Sequence, residues 1–181
     1  LGYDGPVFTS RATADLLKIL LPDSARLQEE EADYRNRHQL TRHNPALPLY
    51  TEDDARDAIK LFHTTANNGV PVEIAPGFRA SFLVAGHIMG ASLVLLEIDG
   101  AGKDGGTLRF LFSGDLGHYD QVIIRDPAPP PDCDYMMCES TYGDRLHPEE
   151  PPSITLQRVL NEAIKRGGPI LIPAFAVGRT Q

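Results

Sequence analysis

The chain is poor in cysteine, lacks long apolar runs and has no excess of positive charge, and each shortage narrows what it can be. Cys133 and Cys138 are the only cysteines in 181 residues. Their spacing fits neither a zinc knuckle nor a redox pair, so both are expected to be reduced and partly buried, in a cytoplasmic protein, with a disulfide between them as the alternative. No apolar run approaches the ~20 residues of a membrane-spanning helix, so no membrane partner is expected. Residues 1–10 lack the basic stretch followed by an apolar one that marks a secretory signal. Lysine and arginine number 17 against 25 aspartates and glutamates, a net charge of -8. That balance argues against polyanion binding through bulk charge. It does not exclude a local site, because a pair of metals is itself held by acidic ligands. Internal repeats are absent too. With 41% apolar and 23% charged residues the composition is that of a globular protein. Its length fits one domain or one and a fraction, enough for a sizeable core.

Period and punctuation supply the elements. Pro6 to Thr9 reads as a short strand, and Thr9 or Ser10 as the cap of a helix from Arg11 to Leu21. Pro22 is expected to stop that helix, and Ser24 to about Gln39 to form a second one with Glu29, Glu30 and Glu31 on a solvated face. Asn44 to Leu49 is a linker by composition. Thr51 with Asp54 resembles a capping box opening a helix to roughly Phe62. The period then changes to that of strands over Val70 to Ile74, Phe78 to Ala85, Ser92 to Ile98 and Leu108 to Phe112, with a Gly-rich hairpin turn from Gly100 to Gly106. Pro127 to Pro131 is an extended connector before a short strand, Tyr135 to Cys138. Ser153 is expected to cap a helix ending at Gly167, followed by a buried strand from Pro169 to Ile172. Hairpin-paired strands interleaved with helices, without a clean βαβ rhythm, point to mixed sheets flanked by helices in an α/β or α+β class.

Two strand-end loops contain residues that could ligate a metal. Val84-Ala85-Gly86-His87-Ile88-Met89-Gly90-Ala91 places one histidine between two glycines that let the backbone turn sharply. Phe112-Ser113-Gly114-Asp115-Leu116-Gly117 places an aspartate in the same setting. Alone, the first is more often a core histidine and the second an ordinary turn. Together they offer an imidazole and a carboxylate, donors that zinc accepts, at what read as the ends of neighbouring strands. A carboxylate can also bridge two metals about 3.5–4 Å apart. Two donors do not complete a site, since a catalytic zinc needs about three protein ligands and an open position. A third segment, Cys138-Glu139-Ser140-Thr141-Tyr142-Gly143, puts a carboxylate at the end of another strand. By itself Glu139 is either a turn residue or part of a site.

In order, Ala85 to Ala91, Phe112 to Asp115, Glu139 to Gly143 and Ile172 to Gln181 resemble the motifs of the β-CASP nucleases, the branch of the metallo-β-lactamase superfamily that includes RNase J and the cleavage-and-polyadenylation endonuclease. Gly5 to Phe8 resembles the segment that follows the family's first histidine motif, so the likeness runs through essentially the whole chain. It implies the C-terminal part of a metallo-β-lactamase fold over residues 1–168 and the start of a β-CASP domain over 169–181. It implies that His87 ligates one metal, that Asp115 bridges two, and that Glu139 orients a downstream histidine serving the leaving group. The cofactor implied is zinc, two ions in the complete site, with manganese as the alternative. The substrate implied is RNA, and the resemblance leaves room for a homodimer. The family's His-x-His-x-Asp-His motif, its later β-CASP histidines and its final histidine ligand are absent. The chain therefore reads as a central slice of a longer enzyme, itself inactive. The competing readings are a scaffold or RNA-binding subunit on the same fold, and a DNA-processing or small-molecule metallo-hydrolase. His38, His43, His63, His118 and His147 match no motif and read as surface residues, with His118 close enough in sequence to Asp115 to merit attention.

Overall fold

The computed structural model describes residues 2–146 and 150–178. Two compact units divide between Glu139 and Ser140.

The first unit contains two sheets. Strand β1, Val7–Ser10, leads directly into helix α1, Arg11–Arg37. Ser10 caps the helix by accepting a hydrogen bond from the Thr13 N–H at 3.2 Å. Pro22 does not stop α1, contrary to the sequence expectation; it lies inside one continuous helix. A proline in a helix interior forfeits one backbone hydrogen bond and crowds the preceding turn, a cost of about 3 kcal/mol. The helix continues because its buried stripe, Ala14, Ala25 and Ala32, runs past the proline at intervals of three and two turns. Packing on both sides of Pro22 outweighs the local break. The linker that follows is pinned back onto α1 through Asn36, whose amide exchanges hydrogen bonds of 2.9 and 2.7 Å with the Ala46 backbone. Helix α2, Glu52–Lys60, opens with the expected capping box, in which Thr51 and Asp54 satisfy each other's backbone N–H groups. Strand β2, Phe62–Thr65, starts two residues after α2 and pairs in parallel with β1, so that β1, α1, α2 and β2 form one crossover unit. Periodicity missed β2 because the expected helix ran to roughly Phe62 and the three residues after it are too few to show a strand's alternation.

The second sheet has five strands in the order β3 (Val72–Ala75), β4 (Phe78–Val84), β5 (Ser92–Ile98), β6 (Leu108–Phe112) and β7 (Tyr135–Met137). The first four pair as antiparallel hairpins, as their alternation implies, while β7 joins β6 in parallel. One cross-strand row, Glu73, Arg79, Glu97 and Arg109, alternates in charge across four strands. Arg109 Nε meets Glu97 at 3.2 Å, and Arg79 forks onto Asp99 at 2.6 and 2.8 Å. A one-residue slip would turn these charges to the opposite face, so the row specifies register more than it adds stability. Toward the other end of the strands lies the core: Ala85, Leu93, Leu95 and Leu111, with Leu83, Ala91, Leu116 and Cys133 packed against it. Cys133 is half-buried, but Cys138 is exposed rather than partly buried, since among the described residues no strand flanks β7 on its far side.

Close backbone approaches hold the loops above this core. A Cβ added to Gly117 would lie 1.6 Å from the Gly86 carbonyl oxygen. One added to Gly86, whose φ is +75°, would lie 2.7 Å from the Pro127 ring. Only glycine fits at these contacts.

The second unit contains helix α3, Pro152–Arg166. Ser153 lies within its first turn instead of capping it, and Pro151 holds the cap position. The helix ends at Gly167, as expected. The strand expected from Pro169 to Ile172 is absent; the segment is irregular and exposed, with Leu171 at 90%. Strand structure exists only through bonds to a neighbouring strand, and the described residues of this unit contain none.

Two outcomes follow from these contacts. Gly117→Ala should destabilise the protein by at least about 3 kcal/mol in urea unfolding, because a methyl group cannot fit against a backbone carbonyl without moving both loops. In α2, hydrogen bonds from the Thr51 backbone and then its hydroxyl hold the Asp54 carboxyl below its ordinary value. A depressed folded-state pKa contributes stability above the unfolded value and loses it as pH falls through the folded one. Asp54→Asn should therefore lower stability near neutral pH, and the difference from wild type should shrink in urea titrations only as pH falls below the ordinary carboxyl value of about 3.9 and through the lowered folded-state one. Thr51→Ala should cost about 1 kcal/mol near neutral pH.

Candidate metal centre

The strands bring three candidate residues to one edge of the sheet. β5 runs antiparallel to both β4 and β6, so β4 and β6 point the same way, and β7 is parallel to β6. The C-terminal ends of β4, β6 and β7 thus share an edge. His87 follows β4, Asp115 follows β6 and Glu139 follows β7. The strands bearing His87 and Asp115 are not neighbours, as the sequence suggested; β5 separates them. That spacing leaves room for the loops to fold toward each other over the end of β5.

The loops meet through their backbones. The Gly117 N–H donates to the Ala85 carbonyl at 2.9 Å, two residues from each candidate ligand. The Gln121 side-chain amide donates to the Gly86 carbonyl at 2.9 Å and to the His118 carbonyl at 3.2 Å, adding a second tie. The His87 loop is closed at its base by the Ala85 N–H on the Ala91 carbonyl, 3.0 Å, and internally by the Ala91 N–H on the Ile88 carbonyl, 3.0 Å. At its far shoulder, hydroxyls of Ser10, Thr13 and Ser92 surround the Gly90 carbonyl oxygen at 2.9, 3.0 and 2.9 Å.

Glu139 acts directly on the Asp115 turn. Its carboxylate accepts the Leu116 N–H at 2.7 Å, and its own N–H donates to Ser113 Oγ at 3.0 Å. Ser113 is 2% exposed, and its N–H bonds the Met137 carbonyl at 2.9 Å. Asp115 is thus flanked by one anchored residue on each side. Sequence reading passed over Ser113, for which a serine before Gly-Asp carries no distinctive signal, and over the hydroxyls around Gly90, two of which come from a distant helix start.

The His87 imidazole and the Asp115 carboxylate are exposed, and neither makes a hydrogen bond or ion pair among the described residues. An uncommitted nitrogen and oxygen donor pair at one edge fits part of a metal's coordination set. No group of three His, Cys, Asp or Glu side chains able to hold a metal occurs among the described residues, and His118, though exposed, does not supply a third. His38, His43 and His63 are exposed, as expected, while His147 and the Arg179–Gln181 end of the last motif lie outside the described residues. Among the described residues no helix is long and apolar enough to cross a membrane.

No protein-family model matches the chain. Ribonuclease TTHA0252 of Thermus thermophilus is 31% identical to it, over 99% of this chain and 36% of that protein. Transcription termination factor FttA of Thermococcus kodakarensis is 34% identical over 99% of this chain and 25% of its own length. Endoribonuclease YSH1 of Mycosarcoma maydis is 31% identical over 98% and 18%. The chain therefore spans about a third or less of the length of these curated relatives. Matched over 98–99% of its length by such proteins, and with a mixed sheet flanked by helices, the chain belongs to the β-CASP branch of the metallo-β-lactamase superfamily, a family that is generally metal-dependent.

Proposed function

We propose that this chain is the central part of an RNA phosphodiester hydrolase whose metal centre includes His87 and Asp115. The observation that carries this reading is the convergence of His87, Asp115 and Glu139 at one sheet edge, with the first two uncommitted and the third bonded beside Asp115. The names of the relatives, a ribonuclease and an endoribonuclease among them, support RNA as the substrate. Residues 1–168 would be the metallo-β-lactamase portion and 169–181 the start of the β-CASP domain.

When bound, a metal pair polarises the scissile phosphate and makes hydroxide available near neutral pH. Within this chain His87 offers one neutral nitrogen and Asp115 two oxygens, the donor types that favour zinc, with manganese the alternative. Glu139 holds the Asp115 turn through the Leu116 N–H and, in the complete enzyme, orients the histidine that assists the leaving oxygen. The two free cysteines suit a reducing compartment, which supports a cytoplasmic location. A homodimer is compatible with this reading.

In the complete enzyme, Asp115→Ala should abolish RNA cleavage and lower metal content. Asp115→Asn should be nearly as damaging, since it keeps the shape and loses the charge. Cleavage near the wild-type rate with full metal content in either variant would remove Asp115 from the centre.

Glu139→Gln separates a supporting role from ligation. The amide oxygen can still accept the Leu116 N–H, so metal content should stay near normal while single-turnover cleavage slows about 10–100-fold. Loss of metal would make Glu139 a ligand, and an unchanged rate would exclude it from the site.

A further inference from the structure

A histidine that binds metal usually has its ring orientation set by a second hydrogen bond, from its other nitrogen to a carboxylate or carbonyl. Among the described residues His87 makes no such bond. What determines where its imidazole can point is then the conformation of the 85–91 loop, and at the far shoulder of that loop three hydroxyls meet on one atom. The Gly90 carbonyl oxygen lies 2.9 Å from Ser10 Oγ, 3.0 Å from Thr13 Oγ1 and 2.9 Å from Ser92 Oγ. Gly90 itself has φ +93°, and a Cβ there would lie 2.4 Å from Thr13 Oγ1 and 2.6 Å from the Thr13 nitrogen. The loop therefore touches the start of α1 at a distance only glycine permits.

Proton counting ranks the three hydroxyls. Ser10 has one hydroxyl proton and two acceptors in reach, the Gly90 carbonyl and Thr13 Oγ1, both at 2.9 Å. Its oxygen also accepts the Thr13 N–H that caps α1. Ser92 has the Gly90 carbonyl as its hydroxyl's acceptor, and with Ser10 donating to Thr13 Oγ1 the Thr13 hydroxyl donates to the same carbonyl, so Thr13 and Ser92 fill the two lone pairs of that oxygen. Ser92 comes from the start of β5 and Thr13 from the first turn of α1, so the grip joins the His87 loop to the five-stranded sheet and to the helix.

We propose that Thr13 and Ser92 are positioning residues for His87, acting through the Gly90 carbonyl to fix the loop that presents its imidazole to a metal ion. This rests on the reading of His87 as a metal ligand. Ser10 supports the grip but also caps α1, so changing it would mix two effects.

The test is zinc affinity of the complete enzyme, measured by competition with a chromophoric chelator, alongside thermal unfolding of the metal-free protein. Thr13→Val, nearly isosteric but without a donor, and Ser92→Ala should each weaken zinc binding about 10–100-fold, whereas Thr13→Ser should stay within about threefold of wild type. Metal-free Thr13→Val and Thr13→Ser should melt close together. Should Thr13→Val fail to fold, Ser92→Ala decides alone. Wild-type zinc affinity in Thr13→Val or Ser92→Ala overturns the proposal, as does an equal loss in Thr13→Ser and Thr13→Val. A wild-type enzyme that takes up no zinc overturns the metal reading and this proposal with it. One that binds zinc but cleaves no RNA overturns only the proposed activity, and the affinity series still decides the positioning role.

Discussion

The candidate centre depends on the contact between two loop backbones, where the Gly117 N–H reaches the Ala85 carbonyl and Gly117 rests against Gly86. His87 and Asp115 sit on strands separated by β5, so neither strand pairing nor chain proximity brings them together. The glycine contact joins the two loops that carry them. It works because Gly117 has no Cβ to strike the Gly86 carbonyl, and because each loop is anchored below on the core: through Ala85 and Ala91 for one, Leu116 for the other. The site is therefore an extension of the hydrophobic core to the strand ends.

Around that contact the polar groups divide the work. Glu139 and Ser113 hold the backbone on either side of Asp115, and the hydroxyls at Gly90 hold the far shoulder of the His87 loop. None of these bonds uses the His87 ring or the Asp115 carboxylate, which stay uncommitted at the edge. A pair of side chains held through its backbone keeps its donor atoms available, as the proposed role of metal ligand requires.

The charge row from Glu73 to Arg109 serves the same end from a distance. Register errors move every side chain of a strand to the other face. A row of alternating charges toward the opposite end of the strands from the candidate residues therefore helps set which residues of β4 and β6 reach the edge, and hence where the two loops begin.

The sequence alone determined the strands β3 to β7 within a residue or two, the capping box at Thr51, the hairpin order and the three candidate residues, because alternation, capping and glycine-bracketed turns are local signals. Family likeness suggested roles that residue types left open: alone, His87 reads more often as a core histidine and Glu139 equally as a turn residue. Tertiary structure decided what local signals could not. Pro22 fails to end α1 because burial of Ala14, Ala25 and Ala32 outweighs one lost hydrogen bond. Phe62–Thr65 becomes a strand because β1 lies beside it, and residues 169–172 do not because nothing among the described residues of their unit pairs with them. The grip on Gly90 joins residues about 80 positions apart, a separation at which no sequence period carries information and only the packed fold creates the contact.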